Sequence, residues 1–352
     1  MKTLLISIAS VHPGFERTSR EKWKQLRARF RATRLSRLIL TLRCYAYDAM
    51  VSYKQAHWQR NAENNYWALS SELIFQHHKI EKGLCLPGAR RFFGIDAVRS
   101  TSRLLREWNG RGADKESPVY KASIEALRAY RERLQMTPPP ADMRDQFVSE
   151  IDELLAGTSP DAARVTPITP TPPPENAFEN LSALAEARRS VRSFDGRSVD
   201  FSLVEAALKV AQLAPSACNR QPWHVHFYEQ PKDISAMLNL QNGNAGFRKT
   251  IPLLAVITAD AKSFFDASER IEPALDSGLF LMSFLLALQA VGLSSCCLNW
   301  CVMPKVDRQA HRIGNIPDNH LISTFLAIGY AADDTIVPLS ARRALTDVVI
   351  RH

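Results

Sequence analysis

The chain has 352 residues, of which 45% are hydrophobic and 23% charged, and its formal net charge is +9. That supply of apolar residues supports a sizeable core and excludes wholesale disorder; the length fits two domains or one large one. The charge is uneven: Met1 to Arg43 holds eleven Lys or Arg against two Glu, so the remainder is close to neutral.

Met1 to Val11 carries one Lys and a short apolar run, Leu4 to Ala9, then passes into a dense basic stretch. It imitates a secretory signal only weakly. Ser19 to Ala56 is predicted helical, with Leu26, Phe30, Leu38, Leu42 and Tyr45 recurring at helical spacing between Arg residues. Such a basic amphipathic stretch suits an anionic membrane surface or an acidic partner, and equally a solvated helix face. No nucleic-acid-binding motif accompanies it, so no nucleic-acid partner is expected. Asn64 to His78 is a second predicted helix, running on to Gly83 as a plausible C-cap, with a turn at Pro87-Gly88. Asp96 to Trp108, Ser117 to Gln135 and Met143 to Leu155 complete a basic helical N-terminal domain over residues 1–156. Residues 157–176 hold Pro160, Pro167, Pro170, Pro172, Pro173 and Pro174, which marks an extended linker.

Residues 177–352 alternate between types. Helices are predicted at Leu181 to Arg189, Phe201 to Leu213, Ile234 to Leu240, Leu275 to Val291 and Asp307 to Arg312. Strands are predicted at Trp223 to Tyr228, Leu253 to Thr258, Leu321 to Gly329 and Thr346 to Ile350. No G-x-G-x-x-G fingerprint supports a dinucleotide fold. The most apolar stretch, Gly278 to Leu293, is broken by Ser283 and Gln289 and falls short of the ~18 residues of a membrane span, so it reads as a core or interface helix. Cys44, Cys85, Cys218, Cys296, Cys297 and Cys301 make no zinc-type pairs and read as reduced thiols of a cytoplasmic protein. His77, His78 and Glu81 have helical spacing but no third ligand nearby, so no metal site is expected; His224 and His226, at alternate strand positions, read as structural.

Four separated pieces carry the chemistry. In Arg188-Arg189-Ser190-Val191-Arg192-Ser193-Phe194, three guanidiniums and a hydroxyl match phosphate oxygens, although a surface basic cluster has the same composition. In Ala214 to Trp223, Pro215 and Pro222 fix a loop whose small residues admit a planar ligand. There Asn219 and Gln221 offer amides to a heterocycle edge; the plainer reading is a rigid turn feeding a strand. The third piece is Gly292 to Trp300. The fourth is Gly329-Tyr330-Ala331 followed by Pro338 to Arg343.

In this order the pieces resemble the nitroreductase family of flavoproteins, over about half of the chain from Glu179 onward. The resemblance implies an α+β fold, with a mixed, mainly antiparallel sheet flanked by helices and preceded here by the helical N-terminal domain. It implies a homodimer with two flavin sites at its interface, and Thr346 to Ile350 exchanged onto the partner's sheet. It also implies FMN as cofactor, NADH or NADPH as electron donor and a small-molecule acceptor. By the same resemblance, Arg188 and Ser190, with Arg189 between them, hold the FMN phosphate and ribityl chain. Arg192 lies near flavin N1. Pro215, Ser216, Ala217 and Asn219 form the loop that serves the flavin from the other subunit, next to the Gln221 amide already singled out. Asn244 matches an amide near the pyrimidine ring. Leu298, Asn299 and Trp300 run over the central ring, with Trp300 where many relatives have Gly. Arg342 reaches the phosphate, with Arg343 or Arg189 compensating for Ser340 where the family has Lys. Phe264, Phe265 and Arg270 occupy a variable lid. No acid or base side chain is singled out as catalytic, since the flavin carries the chemistry. His78 to Leu84 resembles an extension found on nitroreductase-like proteins associated with polysaccharide biosynthesis. Two alternatives stand beside the oxidoreductase reading. One is different flavin chemistry, such as dehydrogenation of a biosynthetic intermediate or flavin breakdown; the other is a non-enzymatic membrane-surface scaffold. The expected location is the cytoplasm, with peripheral contact to the inner membrane surface.

Overall fold

The computed structural model describes residues 33–55, 66–86, 92–161 and 167–352. The Met1 to Val11 run, the first part of the predicted helix with Leu26 and Phe30, and the Pro87-Gly88 turn lie outside the described residues. By internal contacts the chain divides into residues 1–53 and 54–352.

The first unit contains helix α1, Arg34–Gln55, whose last two residues belong to the second. Its apolar side chains Leu35, Leu38, Ile39, Leu42 and Tyr45 fall at the predicted helical spacing, and all are exposed.

In the second unit, α2 (Tyr66–Cys85), α3 (Ile95–Gly110), α4 (Pro118–Arg133) and α5 (Arg144–Leu155) share an apolar core. Leu73, Leu104, Leu105, Trp108, Leu127 and Ile151 are its fully buried members. The Trp108 indole N–H is satisfied by Asp114 O at 3.1 Å, so the largest side chain enters the core without an orphaned donor. Gly83 does not cap α2 as predicted. The helix runs on to Cys85, and the Phe93 ring lies where a Cβ at Gly83 would be. The glycine serves close packing rather than chain termination. Residues 167–176 are exposed throughout.

Beyond them come α6 (Ala177–Ala187), α7 (Phe201–Ala211), β1 (Trp223–Tyr228), α8 (Pro231–Leu238) and β2 (Leu253–Asp260). They are followed by α9 (Glu272–Ala290), β3 (Ser294–Leu298), α10 (Pro304–Gly314) and β4 (His320–Gly329). Asp200 caps α7, its carboxylate accepting from Ser202 N–H at 2.9 Å. The sheet order is β1-β2-β4-β3. All three strand pairs are antiparallel, and the parallel element is a bridge from Ser190 to Ser295. The fold is α+β, as expected.

The two central strands explain the layering. Along β2, Leu253, Ala255 and Ile257 enter a core with α7 and α9, while Leu254 and Val256 enter a second core with α8 and α10. Along β4, Leu326 and Ile328 face the first core and Phe325 and Ala327 the second. Period-two alternation between two buried faces makes residues 253–257 and 325–328 apolar at every position, while the strand ends carry polar side chains such as Asp260 and His320. The long apolar helix α9 lies on the sheet through Phe280, Phe284 and Leu288, each worth about 1.5–3 kcal/mol of burial. It is a core helix, although its length and composition would also cross a membrane.

Two features depart from the sequence reading. Ser294–Leu298 is a strand, entered from a tight turn at Gly292 with φ 82°. Thr346 to Ile350 is not a strand; the chain makes a short 3-10 turn at Leu345–Asp347, with Leu345, Val348 and Ile350 exposed. β-branched residues favour a strand only where an edge is available to pair with, and this segment pairs with none among the described residues.

Candidate active site

The strip Arg188 to Phe194 is bound to the sheet edge from both sides. Val191 N–H donates to Ser295 O at 3.1 Å, which lays the strip along β3. Ala332 N–H donates to Ser193 O and Asp195 N–H to Tyr330 O, both at 3.1 Å, and Phe194 bridges to Ala331. The first piece is therefore joined to β3 of the third and to Gly329-Tyr330-Ala331 of the fourth. Cys296 sits beneath it. Burial pushes this thiol up, while the charges of Arg192 and Arg188 and a bond to Ser190 pull it down. The guanidiniums thus lie within electrostatic reach of β3. Arg192 Nη1 and Arg189 Nη1 donate only to nearby backbone, to Ser190 O and Arg188 O. Among the described residues, no carboxylate pairs with Arg188, Arg189 or Arg192.

The loop Pro215 to Gln221 is held from beneath. Ala217 N–H donates to both oxygens of Asp276, at 3.1 and 3.2 Å. Arg220, 1% exposed, reaches Ala217 O at 3.0 Å, Ser263 O at 2.9 Å and the Glu269 carboxylate. Its guanidinium lies 5.0 Å from the Phe264 ring centre and 5.6 Å from those of Phe75 and Phe265. Cys218, Asn219 and Gln221 all take left-handed backbone conformations, with φ of 51°, 57° and 52°. Three such non-glycine residues in four positions are costly, and clamping by Asp276 and Arg220 maintains them. Ser216 Oγ accepts from Gln221 N–H at 3.0 Å and closes the turn. Ser216 and Gln221 are half-buried and Asn219 is exposed.

Asn244 is buried, and its amide N–H groups donate to Leu238 O, Gln241 O and Gln241 Oε1 at 2.7–2.8 Å. Gln241 in turn donates to Asn299 O at 3.0 Å, so Asn244 reaches the third piece through Gln241. Leu298 is buried at the end of β3, with its carbonyl accepting from Thr324 Oγ1. Trp300 stacks on Phe325 with ring centres 4.4 Å apart, and its indole N–H donates to Asp307 at 2.8 Å. Of the lid residues, Phe264 is buried, Phe265 packs edge-on against Phe75, and Arg270 is exposed. Arg342 and Arg343 lie in an exposed tail, and Arg342 contacts only Ser340 O of its own turn.

Within one chain these parts form two groups. Arg188 to Arg192, Leu298 to Trp300, Gln241 and Asn244 gather around β3, whereas Pro215 to Gln221 is tied to α9 and the 261–269 segment. No hydrogen bond or ion pair among the described residues joins the two. Arg220, Glu269 and Asp276 were not picked out by sequence reasoning. Arg220 stands inside the singled-out loop, but its partner Glu269 is 49 residues away and nothing local points to it. The six cysteines are all unpaired, as expected. His77 bonds Ser123 Oγ at 2.8 Å and His78 bonds Glu81 at 3.0 Å, so the two imidazoles serve separate contacts.

The sequence model of the Nitroreductase family matches residues 185–241, a span that includes both the Arg188 strip and the Pro215 loop. A protein of Archaeoglobus fulgidus named "Putative NADH dehydrogenase/NAD(P)H nitroreductase" is 30% identical over 167 residues, covering 45% of this chain and 88% of the relative. The chain belongs to the nitroreductase family. A protein of the same name from Methanothermobacter thermautotrophicus is 24% identical over 153 residues, covering 42% of this chain and 76% of the relative. Among solved structures, an FMN-dependent nitroreductase from Clostridium difficile R20291 is 20% identical at a TM-score of 0.39, covering 44% of this chain and 90% of its own. Family membership makes this chain an oxidoreductase.

Proposed function

We propose that this nitroreductase binds FMN non-covalently and passes reducing equivalents from NADH or NADPH to a small-molecule acceptor. The observation that carries the reading is the strip Arg188, Arg189 and Arg192 beside the Ser190 hydroxyl, with no carboxylate partner among the described residues. Gathering three like charges without internal compensation is unfavourable unless an anion completes the set, and a phosphate with several acceptor oxygens does so. Bound FMN supplies two-electron redox chemistry at its isoalloxazine ring. Arg188 and Ser190 hold its phosphate. Arg192 places positive charge where negative charge develops on reduction, a preorganised electrostatic contribution. Asn219 and Gln221 present amides from a loop fixed by Asp276 and Arg220. Leu298, Asn299 and Trp300 line the end of β3, with Asn244 acting through Gln241 to hold Asn299. Arg342 joins the phosphate when the C-terminal tail is seated.

The separation of the Pro215 loop from the Arg188 strip supports a homodimer that completes each site across its interface. So do the exposed apolar residues Phe178, Leu181, Leu213, Leu275, Leu279 and Met282 on and beside α6, α7 and α9. A cytoplasmic protein touching an anionic membrane through its basic N-terminus is the location favoured by the exposed apolar stripe of α1.

The test is an absorbance spectrum of purified protein together with FMN retention in variants. The wild type is expected to purify yellow. Arg188→Ala should lose roughly ten- to a hundredfold in FMN affinity, the worth of a charge-assisted bond to phosphate. Arg106→Ala, removing an exposed ion pair with Glu153, should lose none. Colourless wild type that takes up no added FMN, or equal retention in both variants, would overturn the reading.

A further inference from the structure

At the far end of the sheet from the β3 edge, three adjacent strands bring together side chains that the flavin reading does not use. His224 is the second residue of β1, Asp260 the last of β2 and His320 the first of β4, with Asp260 directly opposite His320 in the strand register. One donor atom from each lies within 4.8 Å of the others. Asp260 is fully buried and its two oxygens differ. Oδ1 accepts from Asn319 Nδ2 at 2.7 Å and from Lys262 N–H at 2.8 Å, while Oδ2 has no hydrogen-bond partner among the described residues. His224 Nε2 is also buried and without a partner. An orphaned carboxylate oxygen and an orphaned imidazole nitrogen, close together in a protein interior, are each unfavourable. Both are relieved by one shared electrophile.

The surroundings match a metal centre more closely than a bridging water. His320 Nδ1 is hydrogen-bonded to His226 Nε2 at 3.0 Å, an outer partner of the kind that fixes the tautomer of a ligating imidazole. The Asn319 and Lys262 bonds to Oδ1 fix the carboxylate in the same way. The His224 ring is held between His320, with ring centres 4.2 Å apart, and Trp67 of α2, also at 4.2 Å, so an apolar wall covers one side.

We propose that His224, Asp260 and His320 bind a divalent transition-metal ion of the zinc class, clasping the ends of β1, β2 and β4 beneath Trp67. Two imidazoles and a carboxylate suit zinc, with a water or a further ligand completing four-coordination. The donor atoms need to draw together by roughly 1 Å to reach the bond lengths of about 2.0–2.2 Å that such ligands adopt. The family's flavin chemistry does not require this ion, and its role here is structural, tying together the ends of three adjacent strands.

The experiment uses untagged full-length protein, incubated with zinc sulfate, gel-filtered and assayed by plasma mass spectrometry and zinc X-ray absorption. About one zinc per chain is expected, in a shell of nitrogen and oxygen at about 2.0–2.1 Å with imidazole scattering. Asp260→Asn, which keeps the shape of the side chain, should lower zinc content at least about tenfold, and His320→Ala should do the same. Wild type retaining less than about a tenth of a zinc per chain overturns the proposal. So does a sulfur shell near 2.3 Å, which would place the ion on the free cysteines. Unchanged zinc in correctly folded Asp260→Asn also overturns it. If circular dichroism shows that neither variant folds, the ligand shell of the wild type decides alone.

Discussion

Asp276 offers a direct test of how the Pro215 loop is held. Its carboxylate, 1% exposed in the second turn of α9, accepts from Ala217 N–H through both oxygens but touches no cation. Burial pushes it from its ordinary 3.8 to about 6; Glu272 and Glu269 add to the rise, while the Ala217 bond and Arg220 oppose it. A carboxyl raised by folding weakens the fold wherever it is ionised. The cost is complete well above pH 6, shrinks as pH falls through 6 and is gone below 3.8. A rise of that size corresponds to about 3 kcal/mol at most. Asp276→Asn removes the charge and keeps a carbonyl for Ala217 N–H, but brings N–H donors that need partners at a cost of about 1 kcal/mol. The variant is therefore expected to be about 1–2 kcal/mol more stable at pH 8, or about 2–5 °C in Tm. That gain should vanish by pH 4–5. Thermal unfolding of flavin-free protein at several pH values measures it. A Tm difference that does not change with pH, or a variant less stable at pH 8, would refute the reasoning.

Arg192→Gln should keep FMN better than Arg188→Ala but be reduced more slowly by NADH or NADPH, because charge beside the ring matters only as reduction proceeds; stopped-flow absorbance reads the rate. Gly83→Ala drives a methyl into the Phe93 ring and should cost about 1–3 kcal/mol in urea or thermal unfolding, while FMN retention at low temperature stays unchanged. Full-length protein should float with anionic liposomes at low salt and release at high salt, whereas a form starting at Asn61 should not float and should keep its FMN; equal behaviour of the two forms removes the membrane role.

Much of the fold could be read from periodicity. β1 at Trp223–Tyr228 is legible from alternation, and α9 from a long, largely apolar stretch of helical length. β3 was missed because Ser294, Ser295, Cys296 and Cys297 show neither alternation nor β-branched residues; only pairing with β4 makes it a strand. Thr346 to Ile350 failed in the opposite sense, having strand composition and no edge to pair with. The Arg188 strip and the Pro215 loop were legible because their chemistry is contiguous in sequence. The supports of that loop were not, since Glu269 and Asp276 reach it across 49 and 59 residues. His320 went unnoticed for the same reason, lying 94 residues from its bonded neighbour His226.

Helix α2 lends three side chains to the oxidoreductase half. Trp67 covers His224, Ser71 Oγ donates to Ser263 Oγ at 3.1 Å, and Phe75 meets Phe265 beside the Arg220 guanidinium. The extension is thus masonry rather than ornament. A gene trimmed at Pro174 to the length its relatives share would still encode every predicted flavin contact, yet its product would carry a bared aromatic and ionic face where α2 had been. Grafting this extension onto a shorter relative would accordingly require transplanting residues 261–269 and Arg220 with it, because the two surfaces were cut to each other.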